Sequence, residues 1–258
     1  MSDWQASLSM LTNGSLMLYF FKGVAFSLII AAAAIVVSFF FGTVMALLRN
    51  YCVKGLARIL KWLSIAYIEV FRNTPLMLWL FICLVAFPVP SVSAAFAKSI
   101  GLSSSEVQMM FKAIVALVLF TSSVMAEIIR GGLNSVANGQ FEAGYAQGFN
   151  FIQVLGFIVL PQAMRVVVPT MLSQVITTIK DTSYVANIAY IEFLGRVFRM
   201  IQLAPMYTGQ STQKVTDVFV LCGMACAIYF VINFTLSCIV RNMQKRQKTS
   251  PVIAAKMR

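Results

Sequence analysis

The chain has 258 residues, of which 60% are hydrophobic and only 11% charged. Soluble domains carry about 45–50% apolar and about 25% charged residues, and a soluble fold of this size has no interior large enough to hide so much apolar surface. Lipid is therefore its solvent. The net charge of +12, from 20 Lys+Arg against 8 Asp+Glu, does not mark a nucleic-acid binder, because the cations lie between apolar runs and not along one face. They read as cytoplasmic-loop charges. No His occurs anywhere, which removes His-based triads and His-liganded metal sites. No Gly-rich stretch ends in GK[ST], so no P-loop is expected. Four of the five cysteines sit inside apolar runs, and Cys222 and Cys226 have the wrong spacing for a CxxC pair. No metal site and no bound cofactor are expected on this chain.

Residues 1–19 form an extracytoplasmic N-terminal segment with neither Lys nor Arg, and nothing in them resembles a cleavable signal peptide. About 20 apolar residues cross the hydrocarbon core, and the pattern predicts five such helices in a membrane domain over 20–240. The first is 23–48, uncharged between Lys22 and Arg49. The second runs from Trp62 to Phe87 and contains Glu69, Arg72 and Pro75. The third, about 108–130, ends with Glu127 and Arg130. The fourth, about 166–190, holds Lys180 and Asp181. The fifth, 218–240, is uncharged between Asp217 and Arg241. The expected fold class is thus all-α, an integral membrane protein.

An odd number of spans puts the termini on opposite sides. The tail over 241–258 carries Arg241, Lys245, Arg246, Lys248, Lys256 and Arg258, and the first interspan loop carries Arg49, Lys54, Arg58 and Lys61. Both belong in the cytoplasm, the tail facing anionic lipid, and the N-terminus belongs outside. One loop opposes this: 191–216 has Arg196, Arg199 and Lys214 yet must lie outside.

The orientation makes 131–165 the longest cytoplasmic loop, and loops of that length are commonly functional. Over 134–163 it reads NSVANGQFEAGYAQGFNFIQVLGFIVLPQA. Asn138-Gly139 can begin a short helix, and Gly148, ahead of Phe149, can end it. Residues 151–160 form a second helix, and Pro161 opens the next span, in whose first turn proline is tolerated. Small residues at 143, 144, 146 and 148 allow close backbone approach. A short helix presenting Glu142 beside Phe149 and Phe151 can insert into a groove on a soluble partner; the plainer alternative is a solvated loop acid.

The spacing EAG-x3-G-x9-I-x-LP, carried by Glu142, Ala143, Gly144, Gly148, Ile158, Leu160 and Pro161, resembles the EAA loop of the membrane subunits of bacterial ABC importers. Gly144 departs from that pattern. Such a substitution loosens a helix by up to ~1 kcal/mol. Three further blocks resemble the polar amino-acid permeases of that class, in the family's order: YIEVFRNTPL at 67–76, AEIIRGGL at 126–133 and KDTS at 180–183. Together they cover about residues 60–200.

The resemblance implies the type I importer fold, in the bacterial inner membrane. It implies coupling helices in the loop that sit in a cleft of a cytoplasmic ABC ATPase dimer, where ATP and Mg bind. It also implies a second membrane subunit, identical or homologous, and a periplasmic or lipid-anchored amino-acid-binding protein. The chain itself then hydrolyses nothing and translocates a polar amino acid whose identity the sequence leaves open. The rival is a secondary transporter driven by an ion gradient, although no internal repeat supports it.

The charged residues in the spans carry two readings each. Glu69 and Arg72, three apart on one helix face, form an ion pair locking helix packing or line the solute path, together with Asn73 and Thr74. Glu127 and Arg130 pair at the entry to the coupling loop. Lys180 and Asp181 form a bridge between subunits or contact substrate. In the second case Asp181 faces the ammonium, while Lys180, Thr182 and Ser183 supply donors for the carboxylate. Thr121-Ser122-Ser123 reads as helix packing.

Overall fold

In a computed structural model, residues 3–248 are described apart from 90, 92 and 190. Lys256 and Arg258 of the basic tail lie outside the described residues. Every regular element among them is helical: α1 (Asp3–Thr12), α2 (Gly14–Tyr51), α3 (Ala57–Arg72), α4 (Leu76–Ala86), α5 (Ala94–Ser99), α6 (Ser104–Ser135), α7 (Gly139–Ala146), α8 (Phe151–Gln153), α9 (Leu160–Asp181), α10 (Phe193–Thr208) and α11 (Val215–Lys248). A π turn over Val154–Val159 joins α8 to α9, and a 3-10 turn over Thr182–Asn187 follows α9. Among the described residues, four spans are long and apolar enough to cross a membrane, and a fifth exists if α3 and α4 count as one.

Three expectations from the sequence change. The second span is not one helix: α3 stops at Arg72 and α4 starts at Leu76, because Pro75 disfavours helical backbone in the residue before it. The second coupling helix does not end before Pro161; α8, the π turn and α9 run on as one span, Phe151–Asn187. A proline clashes with the carbonyl four residues back, and here the turn preceding it is wound with the wider π spacing. The last helix passes straight through Arg241 to Lys248, with no boundary at 240.

Contacts divide the chain into two compact units. One takes in the chain up to Ala34, Leu76–Leu117 and Thr177–Leu236. Its core joins α1, α2, α10 and α11 through Met10, Phe20, Phe193, Val197, Met200 and Leu221. The other comprises Ile35–Pro75, Val118–Ile176 and the chain from Ser237. Its core joins α2, α3, α6 and α9 through Ala46, Ile68, Met125, Ile129, Ala163 and Val167.

In lipid, helices associate by close packing and not by an apolar driving force, so small residues at crossings matter. The RGG block shows which glycine is needed. A Cβ on Gly132 would lie 2.3 Å from Val167 Cγ1 and 3.0 Å from the Ala163 carbonyl oxygen, whereas one on Gly131 meets nothing within 4 Å. Gly132→Ala is expected to cost about 1–3 kcal/mol by overpacking, and Gly131→Ala to be neutral or mildly stabilising. Thermal midpoints of the two variants in detergent check this.

Candidate functional site: the coupling loop, a charge cluster and a buried carboxylate

The coupling loop is built inside the second unit. Asn138 precedes α7, Glu142 stands in its first turn, and Gly148 follows its end at φ +83°. Asn150 and Gln153 then form a reciprocal capping box for α8, with bonds of 2.9 and 2.8 Å. The loop is anchored at its back. Tyr51, the last residue of α2, packs its ring against Phe151 (5.4 Å between centroids) and Phe141 (6.3 Å). Gln162 donates to Gln140 at 2.9 Å.

Gly144 is buried, and a Cβ there would lie 2.7 Å from Val154. The departure from the EAA pattern thus serves packing: Val154 of the π turn fills the space an alanine methyl needs. The outer face is open. Glu142 and Ala143 are exposed, and among the described residues Glu142 has no side-chain partner. Around them Tyr145, Phe149, Phe151, Ile152 and Phe157 are exposed, Ile152 at 76% and Phe157 at 74%. Pro161 is exposed as well. A lone acid fringed by rings on a short helix suits a groove on a partner.

In the same unit, three arginines and two glutamates meet. The sequence expected two separate pairs, Glu69 with Arg72 and Glu127 with Arg130. Instead Glu127 is a hub. It accepts from Arg130 Nη2 in a very short contact, from Arg49 Nη1 at 3.1 Å, and has Arg72 Nη1 at 3.9 Å. Glu69 binds Arg49 at 3.2 Å, while its contact with Arg72 is 4.0 Å. Asn73 caps α3, donating to the Glu69 carbonyl at 2.9 Å and carboxylate at 3.0 Å. Thr74 bonds back to the Val70 carbonyl at 2.7 Å. Arg49, first counted as an orientation charge, is in fact the bridge between α3 and α6. Charges in a span are costly unless paired, and the cluster keeps one cation in excess, with Arg72 the least closely held.

Glu127→Ala leaves three arginines against one carboxylate. Its expected cost is about 2 kcal/mol, between the ~1 of exposed pairs and the 3–5 of buried ones. Glu69→Ala, at the more exposed acid (42% against 22%), is expected to cost less than half as much. Thermal midpoints in detergent rank the two.

The Thr121-Ser122-Ser123 trio is fully buried. Ser122 and Ser123 bond their own helix carbonyls at 3.2 and 2.7 Å, and Tyr67 from α3 reaches Ser122 at 2.7 Å. That is a packing role.

Lys180, Asp181, Thr182 and Ser183 belong to the first unit, where α9 gives way to the 3-10 turn. Lys180 is exposed and Thr182 buried. Asp181 Oδ2 is buried with no hydrogen-bond partner. An orphan carboxylate oxygen in such a place requires an explanation, and a cationic ligand supplies one.

Two residues escaped the sequence reading. Glu192 lies between the fourth and fifth spans, fully buried, and caps α10. Burial pushes its carboxyl up to about 7, although the Leu194 and Gly195 amides and the Ser27 and Tyr229 hydroxyls all pull the other way. An acid before an apolar run with helical spacing, EFLGRVF, was the available signal. Arg196 is 5% exposed, donates to the Ile191 and Tyr19 carbonyls, and stacks on Tyr19 and Phe26. It is a packed guanidinium and not a loop charge, which weakens the objection that the 191–216 loop raised to the topology.

The comparisons with known proteins agree with this architecture. Residues 39–249 match the family described as "Binding-protein-dependent transport system inner membrane component". The chain is 34% identical over 229 residues to the probable glutamine ABC transporter permease protein GlnP of Bacillus subtilis (strain 168), covering 89% of this chain and 94% of that one. It is 30% identical to the glutamate/aspartate import permease protein GltK of Escherichia coli O157:H7, covering 88% and 93%. Among solved structures, an amino acid ABC transporter chain superposes with a TM-score of 0.69 at 22% identity, covering 93% of this chain and 97% of that one. A chain of the MetNI methionine ABC transporter gives 0.63 at 18%, covering 90% and 99%; both show the shared fold. With four or five apolar spans and a match over most of its length, the chain belongs to the binding-protein-dependent inner membrane components and is a multi-pass ABC importer permease.

Proposed function

We propose that the chain is the permease of an ATP-driven importer of a polar amino acid, and that its α7–α8 loop is the part an ATPase dimer grips. The single observation that carries this is the exposed, unpartnered Glu142 within a fringe of exposed rings, on a loop fixed to α2 by Tyr51. ATP and Mg belong to the partner ATPase. A second permease subunit completes the path, and a binding protein delivers the solute on the face opposite the loop. The N-terminus lies on that outer face and the basic tail in the cytoplasm.

A free amino acid is a zwitterion, so its site needs an anion for the ammonium and donors for the carboxylate. Asp181, with its unbonded buried oxygen, is the anion. Lys180 and Ser183 are the donors, the buried Thr182 hydroxyl being given to the Ile179 carbonyl. Relatives are named for glutamine, glutamate/aspartate, cystine and arginine, so the substrate class is a polar amino acid.

The reading is tested in liposomes. Uptake is expected only when the permease, its ATPase, internal ATP and the binding protein are all present. Uptake by the permease alone under a sodium or proton gradient contradicts it.

A further inference from the structure

The last turn of α2 meets three parts of the second unit with three consecutive side chains. Tyr51 lays its ring against Phe141 of α7 and Phe151 of α8, edge-on to the latter at 68°. Asn50 donates to Asn134, near the end of α6, at 2.8 Å. Arg49 offers a single nitrogen, Nη1, to both Glu69 of α3 at 3.2 Å and Glu127 of α6 at 3.1 Å. Side chains two apart on an α-helix point about 200° from each other. One side of this turn therefore meets the coupling helices while the other enters the charge cluster.

The cluster has the parts for an exchange. The two carboxylates that Arg49 holds also have Arg72 beside them, Nη2 at 4.0 Å from Glu69 and Nη1 at 3.9 Å from Glu127. Those separations lie just beyond hydrogen-bond length. Arg49 and Arg72 compete for the same two anions, while Arg130 stays on Glu127. A charge network with two discrete arrangements of the same groups can carry coupling between distant parts of a protein.

We propose that Tyr51 and Arg49 are positioning residues of the transport cycle: when the ATPase moves the coupling loop, the Tyr51 ring turns the end of α2, and Arg49 yields Glu69 and Glu127 to Arg72. The movement of the loop thereby reaches α3 and α6. This rests on the reading of the α7–α8 loop given above. Neither residue belongs to the outer face of that loop or to the substrate site.

The test measures uptake and ATP hydrolysis together in the whole reconstituted importer, with Tyr51→Leu, Arg49→Gln, the two combined, and the conservative Tyr51→Phe and Arg49→Lys. Arg49→Gln leaves two arginines against two carboxylates, so the cluster stays balanced. The ATP hydrolysed per amino acid imported is expected to rise about five- to tenfold in Tyr51→Leu and in Arg49→Gln, the low end of typical coupling between sites. The ATPase still co-purifies and basal hydrolysis continues, because the outer face of the loop is untouched. In the double variant the ratio is expected to stay within about twofold of the larger single effect, since two links of one chain are not additive. Tyr51→Phe keeps both ring contacts, and Arg49→Lys keeps one nitrogen with donors for both carboxylates, so each is expected within about twofold of native.

A native ratio in either Tyr51→Leu or Arg49→Gln overturns the proposal. So does a double variant whose ratio is the product of the two single effects, the mark of independent sites. Loss of the ATPase from Tyr51→Leu on purification also overturns it, since that marks a structural anchor. If Tyr51→Leu does not fold, Arg49→Gln against Arg49→Lys decides alone. In all these cases the loop reading stands as long as Glu142→Lys still abolishes uptake. If Glu142→Lys imports normally, the loop is not the coupling element and the proposal falls with it.

Discussion

Reversing the charge at Glu142, by Glu142→Lys, is expected to abolish uptake, to below about 1% of the native rate, while the permease still folds and inserts. The side chain is exposed and bonds no described residue, so its loss removes no internal contact. Surface substitutions of that kind cost within about 0.5 kcal/mol of stability. The whole effect should therefore fall on docking. A lysine in place of an acid at the centre of a charged contact loses the attraction and adds repulsion, together several kcal/mol. A loss of 2.7 kcal/mol is already a hundredfold in affinity. The ATPase is expected to separate from the variant during purification, with the thermal midpoint of the permease unchanged. Native uptake in Glu142→Lys removes the loop from the coupling mechanism.

Asp181→Ala is expected to have the second large effect: loss of uptake and of substrate-stimulated ATP hydrolysis, with the complex intact and basal hydrolysis retained. Asp181 has one buried oxygen without a partner. Replacing an unsatisfied buried acid by a methyl group should stabilise the fold slightly, since an unmade hydrogen bond costs about 1–3 kcal/mol. A group that harms stability and is nonetheless present points to function. Removing the anion offered to an ammonium costs a charge-assisted hydrogen bond, about 1.5–3 kcal/mol or more in a dry site. Uptake curves together with thermal midpoints separate the outcomes. A more stable, inactive variant fits the assignment, and a fully active one defeats it.

The sequence made the outline of this molecule legible for plain reasons. An uncharged apolar stretch such as 23–48 has one stable place, across lipid. The coupling loop carries breakers, small residues and proline at fixed offsets, each with a local backbone meaning. Where the reading fell short, the cause was averaging or distance. The apolar length of 62–87 hid the break at Asn73–Pro75, although Pro75 and the polar pair before it were the signal. Arg49 and Arg196 were weighed as loop cations because their partners, Glu69 and Glu127 for one and the Tyr19 carbonyl for the other, are remote in the chain. Glu192 was passed over for the same reason: Ser27 and Tyr229, which give it its setting, lie on other helices. Gly144 looked like a local weakening of a helix and proved to be the space Val154 occupies.

The direct measurement is photo-crosslinking from position 152. Ile152 is 76% exposed on the α8 face of the loop, and a benzophenone amino acid placed there reports what the loop touches in the working importer. The expected result is a covalent adduct with a P-loop ATPase, its yield changing when ATP is added. An adduct with the binding protein, or labelling of the same position by a membrane-impermeant reagent added to the outside of intact spheroplasts, contradicts the account at its root.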